Sequence, residues 1–503
     1  MTTEKRNIDW ATMLVPFAIV IAMMAVFMIA PDQSKNVVDT LRGFFGDTIG
    51  IYYPILAIGC VLCALYLALT PKYGNVKLGN VDKPAYSNFK WGTMIFTSTM
   101  AADILFYSLI EWALYGGEQH VQDLGGTQMW APTFTLFHWG PLAWGFYVIL
   151  AVCFAFMIHV RRRNRQRFSE ACRPLLGKYV DGFWGKVIDV TAIFAIVCAT
   201  ATTFTLATPL LTNAMGSVFG FEPTTTVTIL VLLLICTVYT ITVLFGLSGI
   251  SKLAGICSYL FFAILLYFLF LGGETGYIIE TGVQSIGNMV QNFIGLSTYM
   301  DPLRENGFAQ NWTIYYWAYW LVWCVATPFF IALISKGRTI RNVVFGSFGW
   351  GLAGTYLSFI ILGNYGLAQQ MKHGVDAIGY IGNGGEMYEA ILMIFDTLPL
   401  PWLALILLTI TMIAFYSTTL DGITYVTSSY SYKQISPDEE PSRGIRGFWS
   451  IMLILLPIAL LFAQNSLYSL QGVTIIAAFP VGILLILIVI SFFKDFKTWS
   501  KHT

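Results

Sequence analysis

The chain has 503 residues, of which 56% are hydrophobic and 11% charged, with a mean hydropathy of +0.68. Soluble domains carry about 25% charged residues, so a soluble enzyme, a disordered chain, a fibre and a secreted disulfide scaffold are excluded. The 28 basic and 27 acidic residues leave a net charge of +1, which offers no field for a nucleic acid or another polyanion. An integral membrane protein of many spans remains.

A bilayer core requires roughly 20 apolar residues per helix. Twelve such stretches are read in order: 12 to 30, 49 to 69, 91 to 115, 131 to 157, 186 to 214, 224 to 246, 253 to 273, 312 to 335, 341 to 363, 402 to 431, 447 to 463 and 471 to 493. The first has no cleavage site behind it and reads as a retained span rather than a signal peptide. Of the 28 Lys and Arg residues, 24 fall on the side shared by both termini. Only Lys35, Arg42, Arg304 and Lys372 fall on the other. The asymmetry predicts cytoplasmic termini. Two longer loops, Glu274 to Asn311 and Leu367 to Pro401, contain apolar stretches (Val283 to Met300, Met387 to Leu398) that read as surface helices.

Seven of eight cysteines fall inside predicted spans and the histidines match no metal spacing, so neither a disulfide framework nor a metal centre is expected. The sequence lacks a nucleotide-binding glycine motif and any nucleophile or acid–base constellation, so neither an ATP-driven pump nor an enzyme is expected. The arginine run from Arg161 to Arg167 reads as an anchor beside a span, with anionic lipid as the other reading.

Acidic residues at membrane depth are costly and usually functional; here they are Asp103, Glu111, Asp189 and Asp421. Asp103 lies twelve residues into the third span, ~18 Å along it and close to the midplane. The small and hydroxylated residues before it, Thr97 to Ala102, permit close packing or local unwinding. Glu111, nearer the external end, reads equally as a solvated or capping carboxylate. In the eighth span Trp312, Tyr316, Tyr319, Trp320 and Trp323 form one stripe at helical spacing. The fourth contributes Trp139, Trp144 and Tyr147, although on an ideal helix Trp144 points about 140° away from Trp139. They share a face only if Gly140 and Pro141 distort the helix. Clustered indoles suit a quaternary ammonium, whose charge meets the ring quadrupole without needing hydrogen bonds; such a stripe also suits plain packing.

Two segments carry a resemblance. Phe137-His138-Trp139-Gly140 with Trp144 and Tyr147, and Asn311-Trp312-Thr313-Ile314-Tyr315-Tyr316-Trp317-Ala318-Tyr319-Trp320 continuing to Ser335-Lys336-Gly337-Arg338-Thr339-Ile340-Arg341, resemble the signatures of the betaine/choline/carnitine transporters. The resemblance implies an all-α polytopic membrane protein of 12 transmembrane helices with a leucine-transporter-type 5+5 inverted repeat. Its parts are a tail and two peripheral spans (1–90), a first five-helix repeat (91–273), an external loop with a surface helix (274–311), a second repeat (312–493) and a short cytoplasmic tail (494–503). Trp139, Trp144, Tyr147 and Trp320 match the family's aromatic box, and Tyr319 and Trp323 match its flanking aromatics, with Tyr where the family usually has Trp. Asp103, ending Thr99-Met100-Ala101-Ala102-Asp103, resembles the choline carriers, and Met100 adjoins the same substrate site. Thr97, Met100, Phe415, Thr418 and Thr419 match a Na+ site. Cys257 stands where Na+-independent antiporters place an arginine.

The resemblance therefore implies secondary active transport of choline, glycine betaine, carnitine or γ-butyrobetaine, with Na+ as coupling ion and no cofactor. A Na+-independent antiporter of the carnitine/γ-butyrobetaine type is the alternative, with a proton-coupled choline carrier or a cation channel further off. A homotrimer in the bilayer of the cell inner membrane, with both termini cytoplasmic and no nucleic-acid partner, completes the expectation.

Overall fold

A computed structural model describes residues 8–98, 100–163, 165–245, 247–435, 439–462 and 467–501. Thr99 of the expected unwound segment, Asn164 of the arginine run, and Lys5 and Arg6 lie outside it. Among the described residues the regular structure is helical, with two isolated bridges, Ile8 to Tyr432 and Lys77 to Thr339. Hydrocarbon imposes this, since it supplies no partner for an open peptide group and only helices or closed barrels cross it.

Among the described residues eight helices are individually long and apolar enough to cross, and up to eleven crossings result when each of three bent pairs is counted as one. Twelve were expected. At the sixth expected position stands the helix Thr225–Phe245, of which Thr225–Ile241 is a shorter apolar helix. The helix pair Thr127–Val160 is 94% buried over its apolar window, whereas Trp10–Ile29 is 28% buried. The fourth span is thus central and the first peripheral.

The bends have local causes. The third span is Asn88–Thr97 and Ala102–Gly116, meeting at 66° where the sequence turns small and polar. The eighth is Ala309–Trp323 and Thr327–Ile334 at 53°, with Pro328 in the first turn of the second piece, where a missing N–H costs nothing. The seventh turns by 111° after Gly272 and Gly273, and Gly273 takes a positive φ of 82°. The helix that follows, Thr275–Thr298, starts earlier than the expected surface helix and runs with Ile279, Val283, Val290 and Ile294 exposed in a row. The loop expected from Leu367 is partly helix, because the ninth span continues to Lys372; the short helices Ala377–Gly382 and Met387–Phe395 follow.

Four arginines of the run close on the protein's own carboxylates. Arg161 and Arg163 pair with Asp495, Arg165 with Asp181, and Arg167 with Asp9 and Asp189. Outside the membrane, Arg173 and Arg165 hold the Asp181 carboxyl down at about 2. Asp189 also accepts Ser169 N–H (3.1 Å) and Ser169 Oγ (2.8 Å), while Arg167 donates to the carbonyls of Tyr430 (2.8 Å) and Tyr432. One buried guanidinium thus ties the start of the fifth span to the end of the tenth. Removing one partner of a buried pair costs about 3–5 kcal/mol, because it strands the other charge. Arg167→Met is accordingly expected to lower the unfolding temperature in detergent, and Arg167→Met with Asp189→Asn to recover part of the loss. Equal melting of the single and double variants would contradict this account.

Candidate functional site

The breaks converge on one cavity of about 450 Å³. Its wall includes Ser98, Met100 and Ala101 from the break in the third span, Trp139 from that in the fourth, and Ala326 and Thr327 from that in the eighth. All the sequence-predicted substrate residues, Met100, Asp103, Trp139, Trp144, Tyr147, Tyr319, Trp320 and Trp323, line it.

The four aromatics of the expected box meet in the structure. Trp320 lies 5.6 Å from Trp139, 5.8 Å from Trp144 and 4.9 Å from Tyr147 between ring centroids, and Trp144 lies 5.6 Å from Tyr147. Interplanar angles of 56° to 76° set the rings as walls rather than a stack. The fourth span allows this by stopping at His138 and restarting at Pro141, with Gly140 extended between the pieces. That interruption removes the offset an ideal helix imposes between Trp139 and Trp144.

Of the two readings of Glu111, the structure removes the solvated or capping one. Glu111 is fully buried, neither solvated nor a cap, and its Oε2 accepts Trp139 Nε1 at 2.8 Å and the Tyr316 hydroxyl at 2.7 Å. The carboxylate therefore fixes the rotation of one wall of the box. His138 is a core histidine whose ring nitrogens reach the Tyr115 hydroxyl (2.7 Å) and Thr313 Oγ1 (3.0 Å).

Asp103 begins the second half of the third span, in the first turn, where the helix dipole favours a negative charge. Tyr319 donates its hydroxyl to Asp103 Oδ2, and Thr203 Oγ1 lies 2.8 Å from that hydroxyl. Among the described residues Asp103 Oδ1 has no hydrogen-bond partner. Tyr in place of the family's Trp thus supplies a group that orients the acid.

Of the residues matched to a Na+ site, Thr97, Met100, Thr418 and Thr419 line the same cavity and Phe415 does not. Thr97 Oγ1 donates to the Met94 carbonyl (3.1 Å), and Thr418 Oγ1 to those of Ala414 (3.2 Å) and Phe415 (3.0 Å). Hydroxyls and carbonyls are the ligands a hard cation takes, and these hydroxyls also satisfy their own helices. Cys257 Sγ sits 3.7 Å from Thr418 Oγ1. Asp421, one of the acids singled out at membrane depth and three residues after Thr418, lines the cavity too. Thr203 had no signal in the sequence, because only the fold brings it to Tyr319.

The cavity extends past the box to Gln166, Leu333 and Ser429, at the end of the bundle that bears the basic loops. On the opposite side Tyr107 and Tyr315 share a hydroxyl contact of 2.6 Å, and Tyr107 lies 5.6 Å from Trp139 and 5.7 Å from Tyr316. The rings form a layer over the box on that side.

Gly351 on the ninth span lets Trp144 sit where it does, since a Cβ there falls 2.4 Å from the indole. Both sides are buried, so relief requires Trp144 to move. Gly351→Ala is expected to cost about 1–3 kcal/mol and to shift tryptophan emission. Gly349→Ala, whose Cβ meets nothing within 4 Å, is the control and changes neither. Matching behaviour of the two variants would show that Trp144 is not held by this contact.

A family model described as "BCCT, betaine/carnitine/choline family transporter" matches residues 11–501. The chain is 28% identical over 451 residues to the uncharacterised transporter YeaV of Escherichia coli (strain K12), covering 88% of this chain and 92% of that one. The match runs through every broken span and the whole aromatic box, and this protein belongs to the betaine/carnitine/choline transporter family.

Proposed function

We propose that the protein is a secondary active transporter that takes up a quaternary ammonium compound by alternating access, coupled to Na+. The observation that carries the reading is the juxtaposition of four aromatic walls with the Asp103 carboxylate in one cavity. Each desolvated ring contributes about 0.5–2 kcal/mol to a cation. The trimethylammonium group needs no donor or acceptor, which suits a box whose Trp144 and Trp320 Nε1 atoms find no partner among the described residues.

Asp103 bears on the substrate class. The N-terminus of a half-helix at the midplane suits an anionic substrate group, but a carboxylate in its first turn offsets that partial charge. Asp103 Oδ1 then offers an acceptor to a hydroxyl at the far end of the substrate. Choline, cationic and hydroxylated, meets both demands; glycine betaine, carnitine and γ-butyrobetaine bring a carboxylate of their own.

For coupling, Thr97, Met100, Thr418 and Thr419 supply oxygen between the third and tenth spans, and no arginine occupies the position of Cys257. The alternative, Na+-independent exchange, draws support from Thr418, whose hydroxyl already bonds to its own helix. With the basic loops cytoplasmic, the cavity described above is the inward-facing arrangement. Homotrimeric assembly and residence in the cell inner membrane, implied by the resemblance, belong to the same proposal.

Proteoliposome uptake of labelled choline, glycine betaine, carnitine and γ-butyrobetaine, with and without an inward Na+ gradient or internal substrate, tests the reading. Na+-driven choline accumulation, abolished in Thr418→Val, is expected. Accumulation that needs only internal substrate establishes the exchanger instead. Trp320→Ala is expected to weaken choline binding at least about tenfold, equivalent to 1.4 kcal/mol, and unchanged binding removes the box. Asp103→Gly is expected to move preference from choline towards the zwitterions, and an unaltered selectivity profile would make Asp103 structural.

A further inference from the structure

A second cavity, of about 380 Å³, lies at the bundle end bearing the basic loops, between the start of the third span and the start of the ninth, Ile340–Ser358. Its wall includes Trp91, Arg338, Arg341, Asn342, Phe345 and Trp350. Transport by the central cavity uses none of them.

Its electrostatics are unbalanced. Arg338 is 4% exposed, stacks with its guanidinium 4.1 Å from the Trp91 ring, and donates to Asn88 Oδ1 (2.9 Å) and to the carbonyls of Tyr86 (3.0 Å) and Ser87 (3.1 Å). All those acceptors are neutral. Among the described residues its Nε has no partner, and neither Arg338 nor Arg341 has a carboxylate within 4 Å. Arg161, Arg163, Arg165, Arg167 and Arg173 are all paired with Asp or Glu. A buried cation without a counter-ion is costly, so the cavity beside Arg338 is a place where an anion lowers the free energy. Arg341 and Asn342 stand in the first turn of a nineteen-residue helix, whose dipole adds to that field.

The other wall is apolar. Phe345 is 45% exposed, Phe89 is 71% exposed, and the Phe89 ring lies 6.2 Å from that of Trp350. Trp350 in turn lies against Gly92, where a Cβ would come within 2.0 Å of it. A free phosphate has no use for this aromatic wall. An amphiphile with a phosphodiester at one end and acyl chains at the other uses both halves. Basic pockets between membrane helices at the cytoplasmic surface bind such headgroups.

We infer that this cavity binds the headgroup of an anionic phospholipid, with Arg341 facing the phosphodiester, the uncompensated charge of Arg338 behind it in the wall, and Phe345 and Trp350 facing its glycerol and acyl region. In the arginine run Arg161, Arg163, Arg165 and Arg167 are already held by the protein's own carboxylates.

The test is native mass spectrometry of the full-length protein, stripped of lipid and then offered phosphatidylglycerol and phosphatidylcholine in equal amounts. Wild type is expected to retain phosphatidylglycerol preferentially. Arg341→Gln is expected to reduce that retention about fivefold, while Lys501→Gln, at the exposed end of the chain, leaves it unchanged. Asn342→Asp is the second variant: an acid in a first helical turn is tolerated by the fold and repels the headgroup, so it too should lose phosphatidylglycerol. Retention in Arg341→Gln and Asn342→Asp equal to wild type overturns the inference, as does equal retention of the two lipids by wild type. Release of bound phosphatidylglycerol by inorganic phosphate alone assigns the cavity to a free anion and overturns it as well.

Discussion

Every peptide group placed in hydrocarbon must find its partner inside the protein, and three central helices here give up that security at one depth. The third, fourth and eighth spans break at Ser98–Ala101, Trp139–Gly140 and Cys324–Ala326, and each break adjoins the same cavity. What the breaks release is taken up locally. Thr355 Oγ1 of the ninth span donates to the Trp139 carbonyl at 3.1 Å, and Ser98 Oγ to that of Ile95 at 2.6 Å. Unwound backbone survives at membrane depth because neighbouring hydroxyls satisfy it, and the central cavity is a consequence of the unwinding.

The two acids beside that space are held in different ways. Glu111 sits behind the aromatic wall and accepts the Trp139 indole and the Tyr316 hydroxyl; it orients a ring and has no place on the cavity lining. Asp103 sits on the lining, with one oxygen taken by Tyr319 and the other without a partner. Both lie on one helix, eight residues apart, so about two turns separate a carboxylate that orients a ring from one that lines the cavity.

Much of this was legible in the chain. Apolar runs placed the spans because hydrocarbon leaves helices little choice. Gly140 and Pro141 gave notice that Trp139 and Trp144 share a wall, and the small residues before Asp103 that the third span opens there. The place of Glu111 stayed open in the sequence because its environment is made by side chains 28 and 205 positions away, which no local pattern encodes. The arginine run carries an ordinary anchor pattern, yet its partners Asp495, Asp9 and Asp189 lie far off in the chain or across a turn. The surface helix of the long external loop was placed too late because its first turns, up to Glu280, read as polar loop.

The ninth span touches both arms of the broken third span. Trp350 fills the notch at Gly92 on one arm, while Gly363 and Gly366 admit the Ser108 carbonyl and the Trp112 indole on the other. A continuous rod fastened on either side of a fracture is a splint: it holds the angle of 66° against thermal bending. The fracture is therefore not a free hinge. If the arms change their angle during transport, the splint has to slide or tilt with them, and the force needed to reshape the cavity is delivered along the ninth span, from which Gly351 also bears on Trp144.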